Sequence, residues 1–255
     1  LSLVYGMIIN TVCRVVHKAF CSRDRARRKT AGSTAWKGMA DMTKKERARA
    51  IVEELRALYP EGICSLNYPK PYELLFSVRL AAQCTDERVN MVTPALFARF
   101  PTLESLAQAD VSEVETYIHS TGFFRAKARD IVAASQMMLE QFDGKVPDNM
   151  EDLLKLPGVG RKTANLILGD VYHVPGVVVA DTHCIRISGK LGLTDGTKDP
   201  AKVETQLRKV LPPEESNDFC HRLVLHGRAV CMARRPDCQN CTLRPWCDFF
   251  QKGVG

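Results

Sequence analysis

No apolar run in this 255-residue sequence approaches the roughly 18 residues of a membrane-spanning helix, which excludes an integral helical membrane protein. Strand composition is nearly missing as well. Only VPGVVVA, residues 174–180, reads that way, and it has no obvious pairing partner, so an extended connector serves as well as a strand. There is no internal repeat and no heptad seam, which removes solenoids and coiled coils and makes a monomer the expectation. Beyond the first forty residues there is also no charge excess. Residues 1–40 carry eight basic residues and one acidic one, whereas 41–255 hold 28 of each. The basic character of the whole chain is therefore a property of its first segment. A nucleic-acid surface on the body has to come from local clustering.

What is present is helical. In FRAKARDIVAASQMMLEQF, residues 124–142, Phe124, Ala128, Ile131, Val132, Ser135, Met138, Leu139 and Phe142 fall on one face at steps of three and four. Residues 200–211 repeat the pattern with Val203, Leu207, Val210 and Leu211. Helix starts are signalled at Pro71, Thr85, Thr102, Asp181 and Asp199-Pro200, and Gly122, Gly144, Gly169 and Gly192 punctuate ends or turns. About ten short helices with compact loops are expected from such punctuation. Residues 1–41 read as disordered or as a non-native extension upstream of Met42. A transit peptide or a DNA-binding tail are the alternatives.

The stretch LPGVGRKTAN, residues 156–165, resembles a nucleotide-binding loop only at first sight. Such a loop needs its lysine directly after the last glycine, and here Arg161 separates Gly160 from Lys162. A hairpin between two helices fits better, with Pro157-Gly158-Val159-Gly160 as the turn. Glycines let the backbone turn sharply and approach another molecule, and the N–H groups opening the second helix favour an anion such as a DNA phosphate. Gly158, Val159, Gly160 and Arg161 are thus candidate DNA contacts. Lys162 lies in the first helical turn, where the helix's positive end and Arg161 disfavour a second cation. It serves either as an amine nucleophile or as a solvated phosphate contact, and position alone does not choose. Asp181, in VVVADTH, reads first as a helix cap and second as a carboxylate for proton transfer or charge stabilisation.

Of ten cysteines, six are scattered. Four form Cys231-x6-Cys238-x2-Cys241-x5-Cys247, a metal-site pattern open to zinc or to an iron–sulfur cluster and suited to a reducing compartment. Arg234 and Arg235, between the first two, would make a small basic patch for phosphates.

LPGVGRKTAN, VADTH and HGRAVC-x6-C-x2-C-x5-C, together with ELLFSVRLAAQCTDERVN and YIHSTGFFRAKARDI upstream, resemble the endonuclease III family of DNA glycosylases from about Met42 to Gln251. The resemblance implies an all-α, two-domain helix–hairpin–helix fold with a DNA cleft between the domains. A six-helix barrel would span 64–174. A second domain, with a C-terminal iron–sulfur loop, would join 42–63 to 175–255. It implies excision of oxidised pyrimidines from duplex DNA and cleavage of the abasic strand by β-elimination, with Lys162 as nucleophile and Asp181 as catalytic carboxylate. It also implies a [4Fe–4S] cluster on Cys231, Cys238, Cys241 and Cys247. Gln83 falls where the family fills the gap left by the flipped base, and Phe123 where it inserts a bulky apolar side chain. Without the resemblance these two read as a capping glutamine and a core phenylalanine. His183 and His226 read as structural, because no second ligand accompanies either. The related adenine-removing glycosylases have serine in place of Lys162. A non-catalytic DNA-binding module or a zinc module using only the cysteines would not need Lys162 and Asp181 together. The expected partner is double-stranded DNA with damaged bases or abasic sites, with no membrane involved. The expected location is the bacterial cytoplasm at the nucleoid, or an organelle or nucleus if residues 1–41 are a targeting signal.

Overall fold

The computed structural model describes residues 42–253 and is helical throughout, with no strand among the described residues. The expectation for residues 1–41 falls outside that range. No described helix is long and apolar enough to cross a membrane. The chain divides into two compact units: one runs through Ile63 and resumes at Pro175, the other spans Cys64–Val174.

The Cys64–Val174 unit is built from helices α2 (Pro71–Leu80), α3 (Asp86–Arg99), α4 (Leu103–Ala107), α5 (Val111–Ile118), α6 (Phe124–Gln141), α7 (Met150–Leu153) and α8 (Arg161–Asp170). Each start has a local cause. Pro71 opens α2 where its missing N–H costs nothing. The side chains of Thr85, Thr102, Asp110 and Asn149 cap the backbone N–H groups of α3, α4, α5 and α7. Helix α6 is the centre of the unit, with α2, α4 and α5 packed against it, while α8 packs on α2 and α7. Ala128, Ile131, Val132, Ala134, Ser135 and Met138 supply its buried face.

The other unit joins α1 (Lys44–Leu58) to α9 (Thr182–Lys190), α10 (Pro200–Arg208), α11 (Ser216–Ala229) and the short α12 (Asp248–Gln251). A reciprocal cap between Thr43 and Glu46 starts α1. Helix α11 packs on both α1 and α9. Arg222 of α11 is buried, yet all three guanidinium nitrogens are used. They donate to the Tyr59 carbonyl, Glu215 and Asp218, each at 3.1 Å. The segment 174–180 forms no strand. Val177, Val178, Val179 and Ala180 are buried as an extended connector, and the Gly176 N–H donates to the Pro213 carbonyl at 2.8 Å.

Candidate active site

Within the Cys64–Val174 unit, α7, the turn 154–160 and α8 form the helical hairpin. Gly158 sits at φ +75°, in left-handed backbone that glycine tolerates best. It also lies against an ion pair. Arg79 of α2 holds Asp130 of α6 through Nε at 2.7 Å and Nη2 at 2.6 Å, and a Cβ on Gly158 would meet Arg79 Nε at 2.6 Å. The hairpin turn is thus seated on α2 and α6. Gly160 caps α8 with ordinary extended backbone and no side-chain acceptor, and a Cβ there would meet nothing within 4 Å. Arg161 and Lys162 follow in the first turn of α8, both exposed.

Two further residues of this unit share an unusual backbone. Gln83, in the loop after α2, has φ +56°, and Phe123, at the start of α6, has φ +49°. Both are exposed, Phe123 by 68%. A large apolar side chain held out of the core on left-handed backbone is costly twice over, in strain and in hydration, and such positions cluster at functional sites.

Asp181 belongs to the other unit. It is half-buried, its backbone is extended, and its Oδ1 accepts the Cys184 N–H at 2.7 Å, so it caps α9. In the same unit Cys231, Cys238, Cys241 and Cys247 line a pocket whose walls include Leu191, Val230 and Leu243. Burial first, then the neighbouring thiols, push the Cys241 thiol up to about 12. Burial raises Cys238 and Cys247 in the same direction. Among the described residues no three His, Cys, Asp or Glu side chains converge as a single metal ion requires. Donors already face the sulfurs. Arg186 Nη1 lies 3.6 Å from Cys231 Sγ, and His226 Nε2 lies 3.5 Å from Cys241 Sγ. The buried His226 ring meets the Tyr59 hydroxyl through Nδ1 at 3.2 Å, which suits a tautomer with its proton on Nε2, aimed at the sulfur. Arg234 and Arg235 are exposed on the loop between the first two cysteines.

Residues 76–213 match the HhH-GPD superfamily of base excision DNA repair proteins. Endonuclease III of Synechocystis sp. is 50% identical over 209 residues, which is 82% of this chain and 95% of that protein. Endonuclease III of Escherichia coli K12 is 39% identical over 202 residues, 79% of this chain and 95% of that protein. The chain belongs to the endonuclease III family. Its members are DNA glycosylases with abasic-site lyase activity, and base-excision repair of DNA is the activity class of this chain. A solved structure described as a trapped endonuclease III–DNA covalent intermediate superposes with a TM-score of 0.78 at 37% identity, covering 84% of this chain and all of that one. A thermostable thymine-DNA glycosylase shares the fold, with a TM-score of 0.71 at 19% identity and coverage of 81% of this chain and 97% of that one.

The all-α helix–hairpin–helix fold expected for the endonuclease III family is the one observed. Sequence reasoning missed the Arg79–Asp130 seat beneath the hairpin and the approach of His226 to Cys241, because neither pairing lies at a helical spacing in the chain. The two hairpin glycines of this family member also differ in a testable way. Gly158→Ala is expected to lower stability by about 1–3 kcal/mol, since it combines left-handed backbone with a clash on an ion pair. Gly160→Ala is expected to stay within about 0.5 kcal/mol of wild type, and its duplex affinity shows whether the open side at Gly160 contacts DNA. Urea denaturation and a duplex-binding titration check the two.

Proposed function

We propose that the chain removes oxidised pyrimidines from duplex DNA and then cuts the abasic strand, acting as a monomer in a reducing compartment. The observation that carries the reading is an exposed lysine in the first turn of the hairpin's second helix, in a chain that is 50% identical to an endonuclease III. The structural match to a trapped covalent endonuclease III–DNA intermediate supports an imine route.

The target base leaves the stack, because its glycosidic bond is unreachable within it. The hairpin N–H groups with Gly158, Val159, Gly160 and Arg161 hold backbone phosphate, and Arg234 and Arg235 add charge on the cysteine loop. Gln83 and Phe123 fill the space the base vacates, opposing the loss of stacking. The Lys162 amine attacks C1′. The C1′–N bond breaks with its electron pair on the base, which is protonated as it departs. Asp181 takes up the proton released by the lysine, or stabilises the positive charge that develops on the sugar. Opening of the sugar leaves an imine between Lys162 and C1′. Loss of a C2′ proton then expels the 3′ phosphate by β-elimination.

The cysteines fit a [4Fe–4S] cluster. A lone zinc draws four thiolates to about 2.3 Å from one point, whereas a cluster takes its four around a larger body. Here the thiols line a cavity with N–H donors facing two of the sulfurs. When bound, the cluster would fix the loop carrying Arg234 and Arg235. Cys241→Ala is expected to reduce iron from about four atoms per chain to less than half of that. It should bleach the visible absorbance and leave the helical circular dichroism nearly unchanged. One zinc per chain in the purified wild type, in place of iron, overturns the cluster.

Borohydride trapping on a duplex carrying one thymine glycol tests the catalytic reading. A covalent adduct and a nicked strand are expected. Iron-loaded wild type that gives neither overturns it.

A further inference from the structure

Lys127 is the one fully buried lysine among the described residues, and the chemistry above does not use it. It projects from the core face of α6. Its Nζ donates to two main-chain carbonyls, Leu80 at 2.7 Å and Thr121 at 2.8 Å. Leu80 is the last residue of α2, and Thr121 ends the short 3-10 turn His119–Thr121. The Leu80 carbonyl stands where the helical ladder stops, because the Cys84 N–H turns to Ala81 instead, at 3.1 Å. Three residues past Leu80 is Gln83, and two past Thr121 is Phe123. They are two of the four described non-glycine residues on left-handed backbone, the others being Asp143 and His173. One nitrogen therefore ties the roots of both loops.

A leucine or methionine would fill the same core position without the cost of burying an amine, and burial does hold the Lys127 pKa below the usual lysine range. Packing alone gives no reason for a lysine there. Two directed N–H donors do, and they persist whether the nitrogen is an ammonium or a neutral amine.

We propose that Lys127 is a positioning residue that clamps the Gln83 and Phe123 loops together, so that both side chains enter a duplex as one preformed wedge. The proposal rests on reading Gln83 and Phe123 as the residues that fill the gap. Lys127 touches no reacting atom in it; it acts through the geometry of the two loops.

The test uses the full, iron-loaded chain and two DNAs. One is a duplex with a tetrahydrofuran abasic analogue beside 2-aminopurine, whose fluorescence rises when the stack is opened. The other is a single-stranded abasic oligonucleotide for borohydride trapping, which needs no wedge. Lys127→Met is expected to lower affinity for the duplex, read from the fluorescence response, by at least about tenfold, one hydrogen-bonded contact's worth of free energy. Trapping on the single strand should stay within about twofold. In the Gln83→Ala/Phe123→Ala background, Lys127→Met should add little further loss, because its effect is already removed. Equal losses on the two DNAs, or losses that simply add, overturn the proposal and leave Lys127 a helix-end cap. If Lys127→Met does not fold, Lys127→Gln keeps N–H donors on a shorter stem and should show the same selective loss; the absence of that selectivity is equally decisive against it. If Gln83→Ala and Phe123→Ala in the presence of Lys127 leave the fluorescence response intact, the wedge reading itself fails and the clamp goes with it. That outcome is separate, since it is read without altering Lys127.

Discussion

Replacing Lys162 with alanine is expected to abolish the borohydride adduct on a thymine glycol duplex and to slow strand cleavage by at least about 10³-fold. The size follows from what is lost. In the proposed imine route this nitrogen is the nucleophile, and water at C1′ is a far poorer and unpositioned one. The fold should not register the change. Lys162 is exposed in the first turn of α8, where a surface substitution moves stability by about 0.5 kcal/mol or less. Alanine is also a better helix former. Duplex binding should weaken by less than about tenfold, since one positive charge is removed from several. Rate and binding must therefore separate in this variant. Lys162→Arg keeps the charge and holds no free amine at neutral pH, so it should bind as wild type and trap nothing. If Lys162→Ala still forms the adduct, another amine is the nucleophile and the hairpin lysine is a phosphate contact.

What was legible in the sequence is local, and the reason lies in the range of the forces involved. Thr85, Thr102, Asp181 and Asp199 start helices because a cap acts within three residues of itself, Pro71 because its ring presets the first helical turn, and all five do so in the structure. Helix 124–142 closes at Gln141, one residue short of its expected end, with Phe142 as its C-cap. The first hairpin helix stops short of the turn expected at Pro157-Gly158-Val159-Gly160. Met150–Leu153 is all that forms before the chain tightens into the turn. Pairings between distant positions were not legible. Arg79–Asp130, Arg222–Tyr59 and His226–Cys241 depend on packing that no periodicity encodes. Lys127 was within reach. It stands four residues before Ile131, on the apolar face of its own helix, and a lysine in that stripe already marks a buried amine in need of acceptors. Gln83 and Phe123 gave no such mark, because positive φ is imposed by the loops around them and not by their own side chains.

Asp181 has two roles that one substitution cannot separate, and two substitutions can. Its Oδ1 caps α9 through the Cys184 N–H at 2.7 Å, and the proposed chemistry needs its charge. Asparagine keeps the cap, being as good an N-cap as aspartate, and removes the charge. Alanine removes both. Asp181→Ala is therefore expected to lower stability by about 1 kcal/mol. Asp181→Asn should stay within a few tenths of that scale, apart from the modest favour a helix N-terminus shows to an anion, about 0.3–1 kcal/mol. Activity should follow a different order. Single-turnover base release from the thymine glycol duplex should fall by about 10²–10⁴-fold in both variants, because neither can accept a proton or offset a positive sugar. Stability then ranks wild type, asparagine, alanine, while activity places asparagine beside alanine. Denaturation midpoints and single-turnover rates on the same preparations give both rankings. An asparagine variant that keeps half or more of the wild-type rate would reduce Asp181 to a cap and leave Lys162 to act with some other proton acceptor.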